Sequence, residues 1–402
     1  MILHFSYPYT VTWRRALLII GLAVGVGIGG VWLDARSRGV GLIGAVNEAL
    51  CGDLSFGTPA GEPLRASVVQ RIEDPLLDQP VDATELPDGS LLVALKPGAL
   101  VHLDPGSGEI RELLDIRSKV RVSLEQGLLA VAAHPNFGSN GEGRVYITYI
   151  ESVDGKTHLE SIRLDPVTLA QVEPAQVLLA FSHYNKNHNA ADLEFTAAGT
   201  LLLSTGDSGG SGDPERSAQD AESLLGKVLE IDIQSSPVVV SVRAIGLRNP
   251  WKAAVEPSTG ALWITDVGQS CIEEVSVLDA DLTDRQVNFG WPILEGDKCY
   301  EALTCTAPQE YSPPLTGYVH VNGRCSIIGA AFAAEHFIFG DYCTGELFGV
   351  PSSASAGTEP TAILWEGEPP RIQPGALYSG PSDRVWILDQ RESVILEVLI
   401  QP

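Results

Sequence analysis

Residues 193–205, Leu-Glu-Phe-Thr-Ala-Ala-Gly-Thr-Leu-Leu-Leu-Ser-Thr, place two strand-forming segments on either side of an Ala198-Gly199 turn. A further apolar segment completes this unit at Ile233. The same order of strand, turn and strand recurs along the chain, which is typical of antiparallel sheets. The copies are Val81–Leu103, Leu128–Leu164, Leu193–Ile233, Ala253–Leu278, Ala330–Val350 and Gly375–Leu399.

Six copies spaced roughly 40–60 residues apart indicate a β-propeller more strongly than a sandwich. None of them carries the Gly-His or Trp-Asp signature of WD40 repeats. With about four strands per blade, six blades account for the residues from 76 to 402. The sequence therefore predicts an all-β fold, a six-bladed β-propeller over residues 76–402.

Composition excludes several classes of protein. The 402 residues include 26 Lys and Arg but 51 Asp and Glu, a formal net charge of −25. Such a surface repels phosphate backbones, so we expect no nucleic-acid partner. Hydrophobic residues make up 44% and charged residues 19%, which excludes a disordered chain. The 41 glycines and 26 prolines favour many short strands joined by turns.

The N-terminal region has a different pattern. A tail of residues 1–15 ends in Arg14 and Arg15 and precedes an uncharged run, Ala16–Leu33. At about 1.5 Å per residue this run is long enough, as a helix, to cross a thin bilayer. We predict one transmembrane helix or uncleaved signal at 16–33, and a linker and entry segment at 34–75 that lead into the propeller. The protein would then be membrane-anchored and extracytoplasmic.

The six cysteines are consistent with export to an oxidising compartment. They allow 15 pairings, and sequence alone does not select one. Close spacing favours Cys299–Cys305 and Cys325–Cys343, which leaves Cys51 and Cys271. No C-x-x-C spacing is present, so a zinc site is not expected.

Two loops carry candidate chemistry. The first, residues 183–189, is rich in histidine and asparagine, and its His188 could act as a general base because imidazole accepts a proton near neutral pH. The second, Thr205–Asp213, is glycine-rich, and its aspartates could bind Ca²⁺. It matches neither an EF-hand nor a P-loop. The alternative is that both loops are ordinary surface turns.

A third candidate is Gly246–Trp251, which precedes the fourth copy. Arg248 offers a planar donor fork suited to carboxylates, and Asn249 offers a second donor. Asp266–Gln269 follows at the end of the next strand. Alternatively, Arg248 is a structural bridge between neighbouring blades.

These motifs together resemble the glucose/sorbosone dehydrogenase family, whose members are soluble aldose dehydrogenases dependent on pyrroloquinoline quinone (PQQ). The Cys299–Cys305 loop and Ser326–Gly329 also resemble the related domain of hedgehog-interacting protein, which binds protein ligands. The matching motifs are Gln126–Leu129, His134–Phe137, His188-Asn189, Thr205–Asp207, Ala218–Asp220, Leu224–Lys227, Gly246–Trp251, Asp266–Gln269, Asn288–Pro292, Glu295-Gly296 and Phe339–Cys343.

The resemblance implies roles for a few residues of this chain. His188 corresponds to the catalytic base, which takes the proton of the sugar's anomeric hydroxyl. The backbone carbonyls of Gly268 and Gln269 correspond to ligands of a Ca²⁺ that polarises the quinone. The residues that correspond to quinone contacts are Gln126, Arg248, Asn249 and Arg371.

Two departures from the family pattern concern the cofactor. A Tyr-x-Tyr-Lys/Arg segment of the family is here Ala330-Ala331-Phe332-Ala333, so the cofactor's lysine is missing. The second arginine of the last blade is Gln373. PQQ carries three carboxylates, so two lost cations would weaken its binding unless Lys186 or Arg243 compensates.

The resulting functional hypothesis is PQQ- and Ca²⁺-dependent oxidation of an aldose sugar to its lactone outside the cytoplasm. Hydride would pass to the quinone, and an unidentified acceptor would then take the electrons. Two alternatives remain at this point. One is a catalytically inert propeller that binds a carbohydrate or protein ligand. The other is a Ca²⁺-dependent hydrolase of the lactonase type, in which the ion activates water.

Overall fold

The computed structural model describes residues 59–281, 286–300, 305 and 310–402, which belong to one unit, Leu54–Pro402. Almost all of the regular structure is β-strand. The first strand is β1 (Leu64–Glu73). The next four strands, β2 (Pro80–Glu85), β3 (Leu91–Leu95), β4 (Ala99–Asp104) and β5 (Glu109–Asp115), form a four-stranded antiparallel sheet.

The second and third units repeat this topology. The second contains β6 (Leu128–Ala133), a 3-10 turn (Ser139–Gly141), β7 (Arg144–Ile150), β8 (Thr157–Arg163) and β9 (Gln176–Phe181). The third contains β10 (Ala191–Phe195), β11 (Leu201–Thr205), β12 (Lys227–Asp232) and β13 (Val239–Ile245). The hairpin that opens the third unit pairs Phe195 with Leu201 and turns at Gly199, whose φ of +82° suits glycine.

The fourth unit is interrupted before its last strand. It begins with β14 (Pro250–Val255), β15 (Leu262–Asp266) and β16 (Ile272–Leu278). Three two-residue strands follow, β17 (Val287–Asn288), β18 (Leu294–Glu295) and β19 (Lys298–Cys299), and then β20 (Thr316–Val319) completes the sheet. β17 pairs parallel with β13 of the third unit, and β18 pairs with β19.

The last two units share one eight-stranded sheet. The fifth consists of β21 (Ile327–Ala333), β22 (His336–Asp341), β23 (Leu347–Pro351) and β24 (Thr361–Trp365). The sixth consists of β25 (Pro374–Ser379), β26 (Arg384–Asp389) and β27 (Val394–Gln401), with β1 as its outermost strand. β1 is antiparallel to β27 and parallel to β24.

The first strands of the units form a closed ring. β2, β6, β10, β14, β21 and β25 each contact the first strand of the following unit, and β25 contacts β2. Strands near this ring are apolar at nearly every position: all five residues of β3, β11 and β15 are buried. Sheets covered by neighbours on both faces require this pattern. The all-β, propeller-like arrangement predicted from the repeats is confirmed.

β1 lies inside residues 34–75, which the sequence indicates to be a linker and an entry segment. Ala66 pairs with Ile400 of β27 and also with Trp365 of β24, and its side chain is fully buried. The propeller unit therefore begins at least at Leu64. The strand pattern is weak in sequence because Val68 and Val69 are exposed and a register shift occurs at Val68–Gln70.

Two predicted disulfides are confirmed, Cys299–Cys305 and Cys325–Cys343. Cys271 is also disulfide-bonded, and Cys51 lies outside the described residues. Across the described ranges, no helix has the length and apolar character that spanning a membrane requires. The predicted span at 16–33 lies outside those ranges, so it stays a prediction.

Candidate active site

Most of the predicted site residues gather at one face of the ring. Gln126 precedes β6, His188 precedes β10, and Arg248 and Asn249 precede β14. Because these strands line the ring, the residues that enter them come together. Glu125 joins two of these segments, since its Oε2 accepts hydrogen bonds from Asn249 Nδ2 and from the backbone N–H of residue 189, both at 3.2 Å. We call Gln126, His188, Asn189, Arg248 and Asn249 the central cluster.

His188 is held by a carboxylate. Its Nδ1 lies 2.6 Å from Oδ1 of Asp207, and both side chains are buried. An ionised carboxylate only accepts hydrogen bonds, so Nδ1 carries the proton and the lone pair of the neutral ring is on Nε2. Nε2 has no hydrogen-bond partner among the described residues. The ring is therefore oriented as a base with one nitrogen available.

Asp207 is itself fixed by two further donors. The indole Nε1–H of Trp291 donates to its Oδ2 at 2.8 Å, and the N–H of Gly209 donates to Oδ1 at 2.7 Å. Close packing also requires the neighbouring Gly206, because a Cβ there would lie 2.2 Å from the carbonyl oxygen of His188. The carboxylate and the histidine are thus held in one arrangement.

Arg248 lies beside this pair. Its Nη1 donates to the carbonyl of Val267 at 2.8 Å, and its Nη2 donates to Oε1 of Gln269 at 3.3 Å. The guanidinium carbon is 5.5 Å from the ring centroid of Trp291, a cation–π distance. Its Nε is buried without a hydrogen-bond partner. A buried guanidinium with an unused donor is suited to an anionic ligand group.

A buried carboxyl group supports the segment that carries Arg248 and Asn249. Asp266 accepts the backbone N–H of both residues, at 2.9 and 2.6 Å. Burial raises its pKa to about 7, although the two N–H donors and the charge of Arg248 act in the opposite direction.

The loop from Val267 to Ile272 is fastened by two glutamates. The N–H of Gly268 donates to Glu273 Oε2 at 3.2 Å, and Glu295 Oε1 accepts the four consecutive N–H groups of residues 269–272. The carbonyls of Gly268 and Gln269 accept no hydrogen bond from the described part of the chain. Free carbonyl oxygens are ligands that Ca²⁺ prefers. The loop thus fits a carbonyl-bound cation.

Among the described residues, side chains that could bind a metal do not come together as the two backbone carbonyls do. Within the described ranges, no group of three or more His, Cys, Asp or Glu side chains could hold a metal ion. The aspartates of the glycine-rich loop have protein partners instead. Asp207 binds His188 and Trp291, and Asp213 accepts the N–H groups of Ser217 and Ala218 at 3.0 and 2.8 Å.

Arg371 is not joined to the central cluster. It is exposed two residues before Gln373, near the start of β25, and no hydrogen bond or ion pair links it to the cluster within the described residues. The two suggested replacement cations are Lys186 and Arg243. Lys186 is exposed, and Arg243 on β13 forms an ion pair with Glu230 of β12.

The lysine that the family pattern has, and that this chain lacks, corresponds to position 333 at the far end of a strand. Ala333 is the last residue of β21, where it pairs with His336 across a hairpin. At about 3.3 Å per residue, position 333 is roughly 20 Å along the strand from Ile327, which begins at the cluster's face. The alanine there removes no cation from the cluster.

Several functional neighbours were not assigned these roles from sequence. The sequence suggests Asp207 as a metal ligand and contains no sign that it pairs with His188, which is 19 residues away along the chain. Glu125 stands directly before a predicted residue, and Trp291 and Glu295 lie within quoted motifs. Their contacts depend on segments that only the fold brings together.

The fold and the site together define a propeller-like protein. It carries a histidine–carboxylate pair and a buried guanidinium at one face of its ring. Comparison with models of known protein families identifies the family of this chain. The Glucose / Sorbosone dehydrogenase family matches residues 77–334, so the chain belongs to this family.

Individual relatives are distant. The HIPL1 protein of Arabidopsis thaliana is 24% identical over 346 residues, covering 65% of this chain and 48% of the relative. Aldose sugar dehydrogenase YliI of Escherichia coli (strain K12) is 27% identical over 236 residues, covering 54% and 60%. The chain thus spans about half the length of the first of these relatives.

A solved structure shows the same fold. The PQQ-bound aldose sugar dehydrogenase of Streptomyces coelicolor superposes with a TM-score of 0.68, at 22% identity. The alignment covers 86% of this chain and all (100%) of that chain.

Proposed function

We propose that this protein is a six-bladed propeller that oxidises an aldose sugar to its lactone, with PQQ and Ca²⁺ bound at the central cluster. The observation that carries the proposal is the His188–Asp207 pair, which leaves Nε2 of a buried histidine available at the face that Arg248 shares. The family to which the chain belongs supports the oxidation of a sugar.

His188 would remove a proton. In this reaction Nε2 accepts the proton of the anomeric hydroxyl while hydride leaves the anomeric carbon, so the C–O bond gains double-bond character. Bound PQQ supplies the two-electron acceptor for that hydride. Asp207 keeps the proton on Nδ1 and stabilises the imidazolium that forms, as a carboxylate does in other histidine-dependent sites.

Arg248 and Asn249 would hold the quinone. The unpartnered Nε of Arg248 provides a donor for an oxygen or carboxylate of the cofactor, and Gln126 lies in the same cluster. Lys96 supplies a further cation nearby, because its Nζ donates to Leu124 O at 2.5 Å and its charge interacts with Glu125. Arg248 and Lys96 are therefore the cations that support the fit.

Dye reduction with a panel of aldoses, in the presence of PQQ and Ca²⁺, tests the proposal. We expect His188→Ala to lower kcat by about 10²–10⁴-fold while the protein still binds PQQ. His336→Ala, at the opposite end of β21 and β22, is the matched control and should retain activity. Equal activity of His188→Ala and the wild type would show that His188 is not the base.

A second candidate is a binding module without catalysis, for a carbohydrate or a protein ligand. Arg371 is exposed and has no hydrogen bond or ion pair to the cluster among the described residues, which favours this candidate because PQQ has three carboxylates to neutralise. The similarity to HIPL1 is consistent with this candidate. If the wild type shows no bound-quinone spectrum and reduces no dye with any aldose, the binding module is the better account.

We also propose that residues 16–33 anchor the protein in a membrane with the propeller outside the cytoplasm. The uncharged run and the disulfides support this location. Fractionation of cells that produce the full chain tests it, since release by high salt or alkaline carbonate would contradict an integral anchor.

A further inference from the structure

One carboxylate oxygen organises the loop that carries the Gly268 and Gln269 carbonyls. Glu295 is buried, and its Oε1 accepts hydrogen bonds from the N–H groups of residues 269, 270, 271 and 272 at 2.9, 2.6, 2.8 and 3.3 Å. Four successive amides directed at one oxygen fix the orientation of four successive peptide planes. Hydrogen bonds to a charged acceptor are also stronger than neutral ones.

The direction of the carbonyls follows from these amides. In a trans peptide the N–H of one residue and the C=O of the preceding residue point in opposite directions. The N–H groups of Gln269 and Ser270 point at Glu295, so the carbonyls of Gly268 and Gln269 both point away from it. The amides that Glu295 holds therefore determine the direction of these two carbonyls.

The peptide between Val267 and Gly268 shows towards which side of the loop the two carbonyls point. The N–H of Gly268 points at Glu273, and the carbonyl on the other side of that peptide, Val267 O, accepts Nη1 of Arg248 at 2.8 Å. The side opposite the glutamates is therefore the side of the central cluster. Gln269 Oε1, which accepts Arg248 Nη2 at 3.3 Å, also lies there.

The loop leaves no room for a side chain at residue 268. A Cβ at Gly268 would lie 1.8 Å from the carbonyl oxygen of Ile272 and 3.2 Å from Glu295 Oε1. Only glycine fits between these groups, so the curvature that exposes the carbonyls depends on residue 268 as well as on the carboxylate.

We propose that Glu295 is a positioning residue that aims the Gly268 and Gln269 carbonyls at a cation bound beside Arg248. This inference rests on the proposed function, which places Ca²⁺ at that point. Glu295 does not touch the ion. It acts through the peptide groups, and the hydrogen bonds to its charge polarise them so that their carbonyl oxygens are better ligands.

The variant Glu295→Gln removes the charge and keeps an acceptor oxygen, and Glu295→Ala removes both. Asp341→Asn is the matched control, because Asp341 is a buried carboxylate that accepts four backbone N–H groups in the fifth unit. Ca²⁺ alone is titrated into chelator-treated protein by calorimetry, without quinone or sugar. Hydrogen exchange of the amides of residues 269–272 is measured in the same samples.

We expect Glu295→Gln to weaken Ca²⁺ binding by 10–100-fold and Glu295→Ala to weaken it further. Protection of the four amides should fall in the same order, while Asp341→Asn should lose stability but keep the wild-type Ca²⁺ affinity. Wild-type affinity in Glu295→Gln and Glu295→Ala would overturn the inference and leave the proposed cation site standing. If the wild type binds no Ca²⁺, the proposed cation site fails, and unchanged amide protection in Glu295→Ala would separately overturn the role of Glu295 in fixing the loop.

Discussion

Asp207 determines which nitrogen of His188 is basic. An amide at position 207 could donate its Nδ2–H to Nδ1, which would move the ring proton to Nε2 and leave no lone pair for the substrate. We predict that Asp207→Asn lowers kcat of dye-linked aldose oxidation by about 10²–10⁴-fold with a smaller change in KM. Steady-state kinetics of the variant provide the measurement.

The control for this prediction is Asp232→Asn, which alters an aspartate in an exposed turn at the end of β12. It should leave both kcat and KM unchanged. A kcat for Asp207→Asn within a few fold of the wild type would contradict the role of Asp207 in selecting the tautomer.

Asp266 makes stability depend on pH. Its pKa is raised by burial from 3.8 to about 7, so the folded state binds its proton more tightly than the unfolded state does. The stabilisation is fully present below about pH 4 and is lost as the pH rises through 7. We predict that the wild type loses up to about 4 kcal/mol relative to Asp266→Asn over this interval.

The measurement is urea unfolding of both proteins at pH 4, 6 and 8, with chelator present. Because the other carboxyl groups are the same in both proteins, the difference between their free energies of unfolding isolates Asp266. A difference that does not vary with pH would contradict the raised pKa.

Residues that lie in one short motif could be predicted from the sequence, and contacts between motifs could not. His188, Arg248 and Asn249 stand in loops whose composition indicates chemistry, and the structure brings them together at one face. Arg371 has the same kind of sequence support but is exposed and unconnected to them in the described structure. A sequence pattern specifies the residue type, whereas the direction of a side chain depends on the packing of neighbouring units.

At the scale of the element, β1 closes the sixth unit by joining the outer edge of β27. Ala66 is fully buried there, and Val68 of the same strand is 45% exposed. We predict that Ala66→Asp destabilises the protein by several kcal/mol, because it buries an unpaired charge, and that Val68→Asp changes stability by less than about 1 kcal/mol. Thermal unfolding of the two variants measures the contrast.

Equal melting temperatures for the two variants would mean that β1 contributes little to closure. The contrast between buried and exposed positions also explains why the sequence of β1 shows little strand pattern. The strands beside the ring are apolar throughout and are recognised from composition, but an outer strand needs only a few buried residues. Its partners, β24 and β27, lie roughly 300 residues further along the chain, so local sequence contains no sign of the pairing.

At the scale of the whole molecule, one lysine connects four of the six units. Lys252 on β14 is buried, and its Nζ lies 2.9 Å from Asp82 Oδ1 of β2 and 2.6 Å from Asp192 Oδ1 of β10. It also lies 3.5 Å from the carbonyl of Leu129 on β6. Burial favours the neutral amine, but the two carboxylates outweigh it and raise the pKa of Lys252.

This ion network lies on the ring strands directly below the central cluster and was not predicted from sequence. Asp82 also accepts the N–H of Val131, and Asp192 accepts the N–H of Ala253, both at 2.8 Å. The network thus joins side chains and backbones of different units, and the site depends on the relative positions of those units. Repeat counting predicted the units but not the groups that connect them.

We predict that Lys252→Met destabilises the protein by about 3–5 kcal/mol, because it leaves Asp82 and Asp192 buried without a counter-ion. In the triple variant Lys252→Met/Asp82→Asn/Asp192→Asn none of the three side chains is charged, and the amide oxygens can still accept the N–H groups of Val131 and Ala253. The triple variant should therefore recover much of the stability, since removing a whole buried network costs less than breaking it. Urea unfolding measures both proteins against the wild type. If Lys252→Met unfolds at the wild-type urea concentration, or if the triple variant is less stable than the single one, Lys252 does not compensate the two carboxylates.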